Sequence, residues 1–71
     1  MEILVFKTNI RYKKHLKHVL PHLNSTTGIL RWNVDLLDKD KILRIEASGI
    51  HPQMVEMVLK DAGYYCEELT D

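Results

Sequence analysis

Arg31-Trp32-Asn33-Val34-Asp35-Leu36-Leu37-Asp38-Lys39-Asp40-Lys41-Ile42-Leu43-Arg44-Ile45-Glu46-Ala47 reads as two strands joined by a turn. Trp32, Val34 and Leu36 alternate with Arg31, Asn33 and Asp35, and Leu43, Ile45 and Ala47 alternate with Arg44 and Glu46. Side chains of a strand point to opposite faces in turn, so each strand packs on one side and is wet on the other. Asp38-Lys39-Asp40 supplies the hairpin turn. A hairpin at the centre of a short chain needs partners for its edges and a cover for its apolar face, and the flanking sequence provides both.

On the N-terminal side, Ile3 to Thr8 is a β-branched and aromatic run, apolar on both faces, which suits an interior strand. Asn9 then precedes a stretch in which Tyr12, Leu16, Val19, Leu20 and Leu23 recur at helical spacing, with Lys13, Lys14 and Lys17 on the far side. Asn is a strong N-cap residue, so Asn9 is expected to cap this helix and Tyr12 to point inward with Leu16 and Leu23. Pro21 is expected to kink or end the helix before the polar loop Asn24 to Gly28. On the C-terminal side, Pro52 suits a first helical position. Met54, Val55, Val58, Leu59 and Ala62 line one side of a second helix, and Gly63 is placed to end it in the left-handed conformation. Tyr64 to Leu69 supplies the last strand. The order β-α-β-β-α-β, with right-handed crossovers, predicts an α+β ferredoxin-like sandwich: a four-stranded antiparallel sheet with two helices on one face, one domain over residues 1–71.

Composition narrows the function. Seventy-one residues are close to the lower limit for a core without staples, and Cys66 is the single cysteine, so no internal disulfide or thiolate pair is available and a reducing, cytoplasmic setting is expected. Ten Lys and Arg balance ten Asp and Glu, so no net field favours nucleic acid, and no apolar run is long enough for a membrane span. The third strand, Lys41 to Glu46, lacks the aromatic and glycine pattern of an RNA-recognition module. Arg11 follows the first strand as it would in an acylphosphatase-like enzyme, but Lys7 to Arg11 contains no glycine to let backbone amides converge on a phosphate. No nucleophile, base and orienting group can be assembled, so an enzyme is not expected.

Lys7-Thr8-Asn9-Ile10-Arg11-Tyr12 resembles the Met-Thr-Cys-x-x-Cys loop of heavy-metal-associated domains, the copper and zinc chaperones and N-terminal modules of metal-pumping ATPases. The resemblance continues through Gly28-Ile29, Val34-Asp35-Leu36 and Asp61-Ala62-Gly63-Tyr64, in order along essentially the whole chain. It implies the ferredoxin-like fold, and it implies that Asn9 and Tyr12 stand at the two cysteine positions. Soft Cu(I), or Zn(II) held by thiolates, needs that cysteine pair, so no metal is expected at Asn9 and Tyr12 and no cofactor is expected. The other metal-like spacing is His15, His18 and His22, three and four residues apart on one helix, an alternative ligand set that stands among three lysines. Cys66 shares a side of the last strand with Tyr64 and reads as a small core residue. The second face of the first strand brings Ile3 and Val5 to the open side of the sheet, where Ile42 and Tyr65 can join them. A protein partner or a second copy is expected to dock there, unless the stems of Arg31, Arg44, Glu46 and Glu67 cover the patch. The function expected is that of a small non-enzymatic binding or adaptor domain.

Overall fold

A computed structural model describes residues 1–70; Asp71, the last residue of the expected domain, lies outside the described residues. The elements are β1 (Glu2–Thr8), α1 (Lys13–Asn24), β2 (Ile29–Val34), β3 (Leu43–Ala47), α2 (Pro52–Asp61) and β4 (Cys66–Glu68). The four strands form one sheet in the order β2-β3-β1-β4, every neighbouring pair antiparallel. β1 is interior, as its two-sided apolar sequence requires.

Register decides which side chains meet. Leu4 lies opposite Ile45 and Phe6 opposite Leu43, while Trp32 and Val34 of β2 face Ile45 and Leu43. These residues share one face of the sheet, and Val19 and Leu23 of α1 and Val55 and Leu59 of α2 close over it. Phe6, Val19, Leu23, Leu43, Ile45, Val55 and Leu59 are wholly buried, each side chain contributing about 1.5–3 kcal/mol through removal from water. Ile10, in the loop between β1 and α1, is wholly buried as well and anchors that loop to the core.

The elements differ from expectation where polar groups found other partners. α1 starts at Lys13 rather than after Asn9, with Tyr12 in extended conformation at the cap position and no side-chain cap bond. Tyr12 is 57% exposed, and Leu20 and Met54, also expected inside, are each about half exposed. The buried stripe of each helix is therefore narrower than its apolar sequence: Val19 and Leu23, and Val55 and Leu59. Pro21 does not end α1, which runs a further turn to Asn24; the Pro21 carbonyl still accepts from the Ser25 N–H, and proline removes only one donor this late in the helix. The connection between β2 and β3 is an eight-residue loop, not a tight turn at Asp38 to Asp40, because Asp35 and Asp38 turn their carboxylates onto the N–H groups of Leu37 and Asp40. Leu36, expected in β2, belongs to this loop.

α2 ends as its glycine requires. Gly63 has φ +95°, its N–H bonds the Lys60 carbonyl, and the Tyr64 N–H bonds the Leu59 carbonyl, the paired bonds of a Schellman motif. This motif takes up Gly63 and Tyr64, so β4 is shorter than the expected Tyr64 to Leu69. Gly28 is also left-handed at φ +101°, but a Cβ there would stand 2.9 Å from Ile50 Cβ and 3.1 Å from the Ser48 carbonyl, whereas a Cβ on Gly63 would meet nothing within 4 Å. Gly63→Ala is expected to cost about 1–2 kcal/mol in urea unfolding, the strain of a left-handed non-glycine residue. Gly28→Ala, carrying the same strain and a clash with backbone, should cost more; equal midpoints would contradict this reading.

Candidate functional site

Thr8, the last residue of β1, is the only buried polar residue among those described, and its hydroxyl both donates and accepts. It donates to the Lys41 carbonyl at 2.6 Å and accepts the Ile10 N–H at 3.2 Å, while the Thr8 N–H bonds the Asp40 carbonyl. Thr8 thereby ties the β1-α1 loop to the β2-β3 loop. Lys41 is held there at φ +50°, an unusual conformation for a residue with a side chain, and its ammonium donates to the Leu36 carbonyl at 2.7 Å.

Asn9 does not cap α1. Its Oδ1 accepts the Tyr65 N–H at 2.9 Å, one rung beyond the last pairing of β1 with β4, so the side-chain amide prolongs the ladder. His15 instead reaches back from the first turn, its Nδ1 accepting the N–H of Arg11, the residue before the cap position, at 3.1 Å. No acidic residue occupies the first turn of α1.

The three histidines do not converge. His15 packs against Tyr12 and Tyr64 with ring centroids 5.2 and 5.3 Å apart, and His18 sits 6.2 Å from Tyr64 with its Nδ1 hydrogen-bonded to the Tyr64 hydroxyl at 3.1 Å. His22 is exposed one turn on, its carbonyl accepting from the Thr26 hydroxyl. Among the described residues, no three His, Cys, Asp or Glu side chains form a group that could hold a metal ion. The stripe that spacing offered as ligands is an aromatic bridge from α1 to the turn before β4. Sequence reading missed this bridge, although its signal, histidines at i and i+3 facing Tyr64 of the Ala-Gly-Tyr stretch, was present.

Cys66 lies opposite Thr8 on the helix-covered face of β4. Burial pushes its thiol up to about 12, with the neighbouring Glu56 carboxylate acting in the same direction. Glu56 also accepts the Glu68 N–H at 2.8 Å, which blocks an outward donor of the edge strand; nothing in the local sequence signalled that bond.

The opposite face of the sheet carries the residues expected to meet a partner. Ile3 and Val5 of β1 point there beside Arg44 and Glu46 of β3, and Tyr65 and Glu67 follow on the β4 side. Ile3 is 53% and Tyr65 48% exposed, while Val5 and Ile42 are half-buried. Leu69, whose N–H bonds the Val5 carbonyl, extends the apolar row and was not foreseen. Arg31 and Glu46 pair at 3.6 Å and, with Arg44, border a shallow depression of about 150 Å³ at Ile3. The Tyr65 hydroxyl bonds the Glu67 carboxylate, which raises its pKa.

Solved structures share this architecture end to end. The yeast copper transporter domain CCC2A superposes with a TM-score of 0.85 at 12% identity, covering 100% of this chain and 99% of that one. A copper-binding domain from HMA7, a P-type ATPase, gives 0.86 at 16% identity with 99% and 96% covered. The N-terminal domain of ZntA, in its Zn(II) form, gives 0.78 at 19% identity with 93% and 89% covered. The fold is that of the heavy-metal-associated domains. No family model and no curated protein sequence matches the chain. Within the heavy-metal-associated fold, the residues present do not fit thiolate-held metal: Asn9 and Tyr12 occupy the loop, and Cys66 sits across the sheet edge with a thiol that ionises reluctantly.

Two outcomes follow from these positions. Asn9→Ala should speed hydrogen exchange at the Tyr65 amide and cost about 1 kcal/mol, leaving exchange of the first-turn amides of α1 unchanged; accelerated exchange in that first turn would restore the capping role. At pH 8.5 an ordinary thiol is about half ionised, so iodoacetamide should label Cys66 on the order of a thousandfold more slowly in the folded protein than in urea. Comparable rates in the two states would overturn the burial argument.

Proposed function

We propose that the chain is a non-enzymatic protein-binding domain that docks through the open face of its sheet. The observation that supports this most directly is that Ile3 and Val5 lie on the face away from both helices, with Tyr65 and Leu69 exposed on the β4 side and Ile42 half-buried just before β3. An apolar row rimmed by charged residues is the ordinary make-up of a docking patch. The partner this face can itself supply is a second copy. The face carries charges of both signs on either side of that row, Arg31, Arg44 and Glu46 on β2 and β3 and Lys7 and Glu67 on β1 and β4, so a two-fold-related copy can set unlike charges opposite one another.

The solved relatives named above are described as copper- or zinc-binding, and their chemistry is not extended to this chain. A soft cation at the β1-α1 loop would find an amide already committed to Tyr65 and an exposed phenol in place of thiolates. The same loop is flanked by Arg11, Lys13 and Lys14, whose charge opposes a cation.

Native mass spectrometry of the reduced protein, with and without Cu(I) and Zn(II), tests both parts. A concentration-dependent dimer is expected that Ile3→Lys abolishes and Lys60→Gln, on α2, does not. No stoichiometric metal that depends on Asn9 or Tyr12 is expected. A monomer at every concentration would remove the second copy as partner, and one tightly held metal lost in Asn9→Ala or Tyr12→Phe would remove the binding-domain reading itself.

A further inference from the structure

The loops joined by Thr8 enclose a polar pocket of about 340 Å³, lined by Thr8, Asn9, Arg11, Tyr12, Lys39 and Lys41. Its volume is at the lower end of small-molecule sites. Three of the six residues are basic and none is acidic, in a protein whose formal charge is zero. The cations come from two loops, Arg11 from the β1-α1 loop and Lys39 and Lys41 from the β2-β3 loop.

Hydrogen-bond accounting gives the pocket a sign. Thr8 gives its one hydroxyl proton to the Lys41 carbonyl and accepts the Ile10 N–H. Asn9 accepts the Tyr65 N–H with its oxygen and keeps both protons of its NH2 group free to donate. Lys41 gives one N–H to Leu36 and keeps two. The Arg11 guanidinium and the Lys39 ammonium can only donate. The two carboxylates that flank Lys39 in sequence do not line the pocket: Asp40 pairs with Lys7 at 3.9 Å and Asp38 accepts the Asp40 N–H. The free donors of the lining are the Asn9 NH2, two Lys41 protons, the Lys39 ammonium and the Arg11 guanidinium, and three of these four groups are charged. Such a set selects an anion with several acceptor oxygens, and the guanidinium fork favours a phosphate-type oxyanion.

We infer that this pocket binds a small, multiply charged phosphate-type anion, held by Arg11, Lys39, Lys41 and the Asn9 amide. The contacts come from side chains, which accounts for a phosphate site in a loop that has no glycine to bring backbone amides together. Three positive groups lining one pocket match a ligand with more than one negative charge better than a monovalent ion. The site does not depend on the docking face: none of its lining residues belongs to the Ile3, Val5, Ile42, Tyr65 row.

Pyrophosphate, titrated into the isotopically labelled protein at constant ionic strength set with sodium chloride, is the probe. Saturable shifts are expected for the amides of residues 9–12 and 39–41. Arg11→Gln and Lys39→Gln, both exposed and without side-chain bonds to lose, are each expected to weaken binding at least fivefold and together at least twentyfold. Lys60→Gln, on α2, should bind as the unaltered protein does. Linear shifts without saturation, shifts spread equally over Lys17, Arg31 and Lys60, or unchanged affinity in the Arg11→Gln/Lys39→Gln protein would each overturn the assignment. Ile3→Lys separates the two readings, since it should abolish the dimer and leave pyrophosphate affinity as it was.

Discussion

The burial of Phe6 between two helices and a four-stranded sheet governs the rest of the structure. Its ring lies on interior strand β1 and is wholly buried, with Leu43 opposite it and the apolar stripes of α1 and α2 above. A sheet has two faces, and both helices are used on this one. The alternation that sends Leu4 and Phe6 inward necessarily sends Ile3 and Val5 outward. An interior strand apolar on both sides is therefore satisfied on one side only. The exposed row is a consequence of the same register that builds the core, and a one-residue slip would exchange the two sets.

The second constraint is polar. β1 ends at Thr8, where the chain must leave the sheet, and a buried hydroxyl without partners there would cost about 1–3 kcal/mol. Thr8 meets this by bonding both the loop that follows it and the loop beside it. Asn9 then carries the ladder one rung further than the strand itself, so that β4 is docked at its start by a side chain rather than by backbone. α1 has no cap of its own and is held through His15, Tyr64 and His18, which connect its first turns to the Schellman motif of α2. In this way the loop corner is fixed by side-chain bonds from four elements, and the cationic pocket lies within it.

How much of this was legible in sequence follows from the range of each interaction. The order of elements, the interior position of β1, Pro52 at the start of α2 and Gly63 at its end were readable because periodicity and backbone preference are local. The open-face row was readable from alternation alone. Asn9 was misread because the capping preference, real in isolation, competes with a bond to Tyr65, fifty-six residues away, that no local rule contains. Tyr12, Leu20 and Met54 were misread because helical spacing marks an apolar stripe without saying how much of it two short helices can cover. The histidine stripe was offered as an alternative ligand set, which the structure does not support, since His15 and His18 pack on Tyr64 and His22 stands apart. Lys39 was read as a turn residue and Lys41 as the start of the third strand, which begins only at Leu43, and tertiary closure by Thr8 brings both to the pocket that Arg11 lines.

On the proposed reading, the fold and the metal chemistry of the similar solved structures separate in this chain, and these commitments supply the reason. A metal loop needs soft ligands that are free to take up and release a cation, and it tolerates little competing structure at those positions. Here the first position is bound into the sheet edge and the second is an exposed phenol packed against His15. Placing a thiol at position 9 alone would leave the Tyr65 N–H without its partner and put the new thiolate beside Arg11, a neighbour that stabilises the anion but repels the cation it would need to bind. The fold can keep its shape under this change of sign because the shape rests on Phe6 and its neighbours, several residues away from the loop. What the loop must conserve is only the path of the chain from β1 to α1, and Thr8 and the wholly buried Ile10 hold that path without any ligand.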